Sequence, residues 1–253
     1  MKNTIGSQIK SLEDQNFLMK SNTEFIIQKS FERHHSQMAW LDTHYSFSFA
    51  YYHDEGRMNW GSLRVFNDDV IKAGKGFGMH PHRDMEIITY VLSGTLEHED
   101  SMGNKGQVSK GGVQYMSAGT GVVHSERNPS PEEELHLVQM WVLPKANRLK
   151  PNYGQEEFAE KQRLNKLLLI ASGEEGKKGP ITIQQDASFY VLKLDGNKVR
   201  HEFKKNRLGF LFIASGKISG NGNELEAGDS ARIKNLDSLE LDGKGEIVLW
   251  DLG

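Results

Sequence analysis

Two short ligand pairs constrain this chain more than anything else in it: His80-Pro81-His82, and His124-Ser125-Glu126 on a second predicted strand. On a β-strand, residues i and i+2 share a face and lie about 7 Å apart. Two adjacent strands turning such pairs toward one interior would bring three imidazoles and a carboxylate to a point. The fold must therefore hold two neighbouring strands with a shared inner face. That donor set suits a borderline divalent transition metal and does not suit calcium or magnesium. A lone histidine is ordinarily a surface residue or a satisfied core residue, but that reading explains a strand-spaced pair poorly.

The rest of the chain is written in the same β alphabet. Its 26 glycines separate short β-branched or aromatic runs, and helical periodicity is scarce. Phe25-Ile26-Ile27, Tyr45-Ser46-Phe47-Ser48-Phe49 and Ser62-Leu63-Arg64-Val65-Phe66-Asn67 read as strands, with Asp68-Asp69 as a turn or cap. Ile87 to Leu92 and Thr95 to Asp100 read as partner strands joined by a Ser93-Gly94 hairpin, and His136 to Leu143 as another strand ended by Pro144. Polar texture with Pro151 and Pro180 then marks a connection, with a short helix expected within 156–166. Strand signals resume at Ile181-Thr182-Ile183, Phe189 to Leu192 and Phe210 to Ile213.

A faint repeat relates Tyr90-Val91-Leu92-Ser93-Gly94-Thr95-Leu96 to Phe212-Ile213-Ala214-Ser215-Gly216-Lys217-Ile218. Only His201 precedes the second copy, and no histidine follows Gly228-Asp229. The expected organisation is a polar extension (1–22), a metal-binding β domain (23–145), a connection (146–180) and a second β domain without metal ligands (181–253).

Composition narrows the functional classes. The 31 basic and 34 acidic residues leave a formal charge of −3, so no global field favours nucleic acid or an anionic membrane. The absence of cysteine removes disulfides, thiolate metal sites and a cysteine nucleophile. Asn3, Gln8, Glu13, Asp14 and Gln15 interrupt the first twenty residues, so neither a signal peptide nor a membrane span is expected. The expectation is a cytoplasmic protein.

With its glycines included, the first half resembles the cupin fingerprint: Gly74, His80-x-His82, Glu86 and Gly94, then Gly121-x-x-His124-x-x-x-Asn128. It departs from the general pattern in the Glu86 to Gly94 spacing and in lacking a proline before Gly121. Ala39-Trp40-Leu41-Asp42, Ser46 to Ala50, Leu63 to Asp69, Gly76-Phe77-Gly78-Met79-His80-Pro81-His82, Asp84-Met85-Glu86, His98 to Asn104 and Ser117 to Gly121 together resemble the pirin family within the cupins. The closest likeness is to bacterial pirin-like quercetin 2,3-dioxygenases. It is dense from about Arg33 to Tyr153 and loose afterwards.

The resemblance implies an all-β bicupin of two antiparallel jelly-roll β-barrel domains. Parity leaves Glu86 and Glu126 both open as carboxylate ligands. The pirin pattern implies His80, His82, His124 and Glu126, with Glu86 as an outer or structural carboxylate. It implies one divalent metal, Fe(II) first, with nickel, cobalt, copper or manganese as substitutes. A monomer is expected to bind a flavonol such as quercetin, react it with O2 and release carbon monoxide, with Glu126 as the catalytic proton acceptor. The alternatives are a non-catalytic iron-binding pirin regulating a partner protein through its redox state, and a metal-free structural bicupin. His98 reads as hydrogen-bonded structure; His34, His35, His44 and His53 as packing or surface; Met79, Met116 and Met140 equally as apolar pocket lining or as ordinary barrel core; and Lys204, Lys205 and Arg207 as solvated surface.

Overall fold

The computed structural model describes residues 23–253; the expected extension at 1–22 lies outside the described residues. The first sheets are built from β2 (His34–Gln37), β3 (Leu41–Tyr45), β4 (Leu63–Ile71), β5 (Gly76–His82), β6 (Glu86–Ser93), β7 (Thr95–Asp100), β8 (Lys105–Ser109), β9 (Val113–Ser117), β10 (Val122–Arg127), β11 (Leu135–Val142) and β12 (Asn152–Glu156). The last sheet takes β1 (Glu24–Gln28), β13 (Leu168–Ser172), β14 (Ile181–Thr182), β15 (Ala187–Asp195), β16 (Val199–Glu202), β17 (Leu208–Gly220), β18 (Asn223–Glu226), β19 (Ser230–Lys234) and β20 (Ser238–Leu252). One four-residue helix, α1 (Glu160–Arg163), lies between.

In the first domain a seven-stranded sheet, order β12-β9-β6-β11-β4-β3-β2, accompanies a four-stranded sheet, order β5-β10-β7-β8. The second domain is one nine-stranded sheet, antiparallel except where β14 runs parallel to β13. The architecture is the expected pair of cupin domains, with open sheets rather than closed barrels.

Several local readings differ from the chain. The strand expected at 45–49 ends at Tyr45, and Phe47 instead enters the core between the domains. Asp68-Asp69 does not turn: β4 continues to Ile71 because Arg33 and His136 bind Asp68 while Thr43 binds the buried Asp69. β1 pairs with β19, so the segment that opens the expected first domain belongs to the second sheet. Within 146–180, β12 covers the edge of β9, leaving only residues 160–163 helical. Arg207 is buried against Asp251 and Asp186 and is not solvated surface, whereas Lys204 and Lys205 are exposed as expected, with Lys204 reaching over to the buried Glu174.

Period-two alternation gives the seven-stranded sheet, the large sheet of the first domain, two different faces. Ile88, Tyr90, Val113, Tyr115, Val138 and Met140 pack with Phe189, Phe210, Phe212, Val248 and Trp250 of the second domain. Met140 accepts the Trp250 indole N–H at 3.1 Å and is therefore part of this core, not lining near the histidines. The alternate residues Thr89, Gln114 and Gln139 face the interior of the first domain. The interior of the second holds Leu192, Leu211, Ile213, Leu225, Leu239, Leu241 and Ile247.

Ser93-Gly94 does not form a hairpin. β6 pairs with β9 and β11 whereas β7 pairs with β8 and β10, so the glycine carries the chain between sheets. The same bend recurs inside β17, there within a single sheet. Both ladders skip one residue, from Ser93 to Val91 opposite β11 and from Ser215 to Ile213 opposite β20. Gly94 and Gly216 have φ of +79° and +81°. A Cβ would lie 2.7 Å from the Glu134 carbonyl oxygen at Gly94 and 2.1 Å from that of Lys244 at Gly216. The sequence repeat is thus a repeat of a bend that needs glycine.

Gly94→Ala is expected to lower unfolding stability by about 1–3 kcal/mol, the scale of a strained backbone position. Gly74→Ala, also at positive φ but with nothing within 4 Å, should cost less in the same thermal unfolding measurement.

Candidate metal centre

The four expected residues arise from two neighbouring strands. β5 is the edge of its sheet and pairs with β10, placing His80 opposite His124. An edge strand tolerates the missing N–H of Pro81 between the two histidines. A register shift after His124 sets Glu126 opposite Phe77, a local bulge that re-aims the carboxylate. His124 and Glu126 are buried, and His80 and His82 are half-buried.

Three imidazoles converge. The ring centroids of His80, His82 and His124 lie 4.5–4.8 Å apart, and one nitrogen from each falls within 4.8 Å of the others. Burial, together with the neighbouring His124 and His80, lowers the His82 imidazole to about 4. Burial and the neighbouring His80 and His98 lower His124 to about 3. Both rings are therefore neutral lone-pair donors at neutral pH.

Hydrogen bonds select which nitrogen faces the cluster. The Gly78 carbonyl, 2.8 Å from His80 Nδ1, can only accept, so Nδ1 donates and Nε2 keeps its lone pair. For His124 the choice is made further out. Although burial opposes it, hydrogen bonds from Asn104, His98 and Met102 hold the Asp100 carboxyl below its ordinary value. The ionised Asp100 makes His98 Nε2, 3.3 Å away, a donor. In the neutral ring His98 Nδ1 then accepts from His124 Nδ1, at 3.4 Å. His124 Nε2 is left as a bare lone pair, buried and without a partner. An orphaned buried acceptor is costly unless a cation fills the space, and this atom fits a divalent transition metal. His98 also stacks on Tyr153 at 4.5 Å, consistent with a positioning role.

Glu126 reaches the seven-stranded sheet. It accepts from Gln139 Nε2 at 2.7 Å, Gln114 Nε2 at 3.3 Å and Thr89 Oγ1 at 3.5 Å. These three side chains occupy one row, since Thr89 lies opposite Gln114 on β9 and Gln139 on β11. The Trp141 indole N–H donates to Gln139 Oε1 at 3.1 Å, which turns the Gln139 amide N–H toward Glu126. Glu126 groups with His98 and His124, and its charge also acts on His82. The row Thr89, Gln114 and Gln139 was missed in the sequence. Its only signal is a polar residue within the apolar run of each of three strands.

Glu86 is elsewhere. It is fully buried and accepts from the Tyr115 hydroxyl at 2.7 Å and the Gln184 backbone N–H at 2.8 Å, tying the first domain to residue 184. Strand parity from His82 does not apply, because β5 ends at His82 and Asp84, at φ +49°, turns the chain before β6.

Two cavities adjoin the cluster. One of about 440 Å³ is lined by Phe49, Ala50, Arg64, Val65, Met85 and Trp141, and Trp141 meets His82 edge-on at 4.8 Å. A second, about 220 Å³, includes Tyr45, Phe49, Asn67, Asp69 and Phe77. A further cavity of about 650 Å³ lies at residues 145–184; none of these three cavities is lined by any of the four expected residues. Of the expected lining residues, Met116 packs with Ile87 and Val122 beside Met85 and Trp141, while Met79 is exposed.

Asp100→Asn is nearly isosteric but should donate to His98 Nε2, reverse the relay and place a proton on His124 Nε2. We expect a roughly 10–100-fold loss of metal affinity in a chelator competition, with ¹⁵N imidazole shifts showing the exchanged tautomer in the metal-free protein. Asp69 predicts a pH dependence. Burial, with the Asp68 and Glu126 charges, pushes its carboxyl up to about 7 against the Thr43 hydrogen bond. Unfolding therefore releases a proton between the ordinary carboxyl range and about 7, so stability falls as pH rises through that window. The melting temperature of Asp69→Asn should fall less than that of the wild type between pH 4 and pH 7.

Comparison with known proteins agrees with this geometry. A Pirin family profile matches residues 27–142, and one described as the quercetinase C-terminal cupin domain matches 169–252. The chain is 43% identical to a quercetin 2,3-dioxygenase of Escherichia coli K12 over 89% of this chain and 97% of that protein. It is 42% identical to a pirin-like protein of Caulobacter vibrioides over 84% and 92%. A bacterial pirin from Escherichia coli solved in complex with nickel(II) superposes with a TM-score of 0.85 at 40% identity, covering 90% of this chain and 99% of that one. The bends, the convergent histidines and these likenesses agree: the chain belongs to the pirin family of the cupin superfamily.

Proposed function

We propose that this protein is a metal-dependent dioxygenase that opens flavonols such as quercetin with O2 and releases carbon monoxide, its metal held by His80, His82, His124 and Glu126. The buried, unpartnered His124 Nε2 among neutral imidazoles carries this reading, because it is a donor prepared for a cation. The quercetin 2,3-dioxygenase name of a 43% identical relative supports the reaction class. A divalent transition metal, Fe(II) first and nickel, cobalt, copper or manganese as substitutes, supplies Lewis acidity that favours the deprotonated flavonol.

The chain's own groups perform the rest. Phe49, Val65, Met85 and Trp141 offer an apolar wall to a flat aromatic ring and exclude water. Arg64 in that wall is already engaged by the carbonyls of Ser48 and Met58, so its role is to brace the cavity. Glu126 accepts the flavonol hydroxyl proton, and Thr89, Gln114 and Gln139 orient its oxygens. Proton transfer by a positioned carboxylate is worth roughly 10²–10⁴ in rate.

Iron-loaded protein incubated with quercetin in air should bleach the flavonol absorption and evolve carbon monoxide. Failure with iron, nickel, cobalt, copper and manganese alike would instead favour a redox-responsive regulator. His124→Ala should lose metal by elemental analysis. Glu126→Gln should keep much of it but lose turnover by roughly 10²–10⁴. Glu86→Gln should leave metal content intact and lower thermal stability, because its partners are Tyr115 and Gln184; loss of metal in this variant would overturn the ligand assignment.

A further inference from the structure

A second convergence of metal-binding side chains lies on the outer hairpin, separate from the interior cluster. β2 and β3 pair so that His35 stands directly opposite His44 and Gln37 opposite Asp42. Asp42 and His44 are two residues apart on β3 and share a face. The His35 and His44 rings stack at 4.4 Å with planes 10° apart, so one ring must turn out of the stack before both lone pairs can meet a single cation. Both present a nitrogen to one oxygen: Asp42 Oδ1 is 3.0 Å from His35 Nε2 and 3.8 Å from His44 Nδ1. All three ligand atoms fall within 4.8 Å of one another.

We propose that His35, Asp42 and His44 form a surface site for a second divalent transition metal, which staples the β2–β3 hairpin at the edge of the large sheet. Two imidazoles and one carboxylate suit zinc, copper, nickel or iron and disfavour calcium and magnesium. The side chains are 36–48% exposed, so water can complete the coordination. Arg33 does not compete for the His44 ring: its guanidinium binds the His44 backbone carbonyl at 2.8 Å and pairs with Asp68. Gln37 Nε2, 3.2 Å from Asp42 Oδ2, holds the carboxylate and leaves Oδ1 toward the rings. The staple would also stiffen one wall of the 220 Å³ cavity, since Met38, Leu41, Thr43 and Tyr45 come from this hairpin.

Equilibrium dialysis of the tag-free full chain against Zn(II), followed by elemental analysis, tests the site directly. Wild type should bind two equivalents, and the second should raise the melting temperature. His35→Ala and His44→Ala should each weaken that second equivalent more than roughly tenfold, since even outer partners of ligands cost this much. Both variants should keep the first equivalent. With Cu(II), electron paramagnetic resonance of the second equivalent should show two nitrogen ligands in wild type and one in either variant. Saturation of wild type at one equivalent would overturn the proposal. So would a second equivalent that persists unchanged in both variants.

Discussion

The central strands β6 and β9 of the seven-stranded sheet are buried on both faces along most of their length, and the organisation of the first domain follows from that constraint. One face is closed by the second domain through Phe210, Phe212, Val248 and Trp250, so a β6, β9 or β11 residue on that side must be apolar or bonded. Tyr90 meets the condition by donating to Glu246, and Glu86 by binding Gln184. The opposite face carries Thr89, Gln114 and Gln139 into an interior where unpaired polar groups would be costly. Glu126 accepts a hydrogen bond from each of the three, although Gln114 Oε1 stays buried without a partner. The carboxylate expected as the fourth ligand is thus also the shared acceptor of this polar row.

The electrostatics of the centre follow from the same enclosure. Burial keeps His82 and His124 unprotonated, as metal ligation requires, while an outward relay through His98 to Asp100 determines which nitrogen of His124 is available. The second domain answers the equivalent enclosure with leucine and isoleucine. The two halves share a bend at Gly94 and Gly216 and the skipped residue beside it, so they match in backbone geometry where they differ in side-chain chemistry.

Much of this was legible from local pattern. His80, His82 and His124 are brought together as their strand spacing implied, because side-chain alternation is a local property of extended backbone. The glycine-marked repeat was legible for a similar reason, since positive φ selects glycine whatever the surroundings. Errors appeared where partners distant in sequence decided the outcome. Asp68-Asp69 looks like a turn until Arg33, Thr43 and His136 supply its bonds, and Arg207 looks like surface until Asp251 and Asp186 surround it.

By itself the sequence determined the strand alphabet, the two-domain repeat, the interior histidines and the family. Tertiary structure decided which sheet each strand joined, as with β1 on β19, and which face of the large sheet met the second domain. It also decided that Glu86 ties residue 184 while Glu126 faces the imidazoles, and that His35 meets Asp42 and His44. The physical reason is range: backbone alternation is written in neighbouring residues, whereas desolvation and hydrogen-bond partnership depend on groups that only the folded chain brings together.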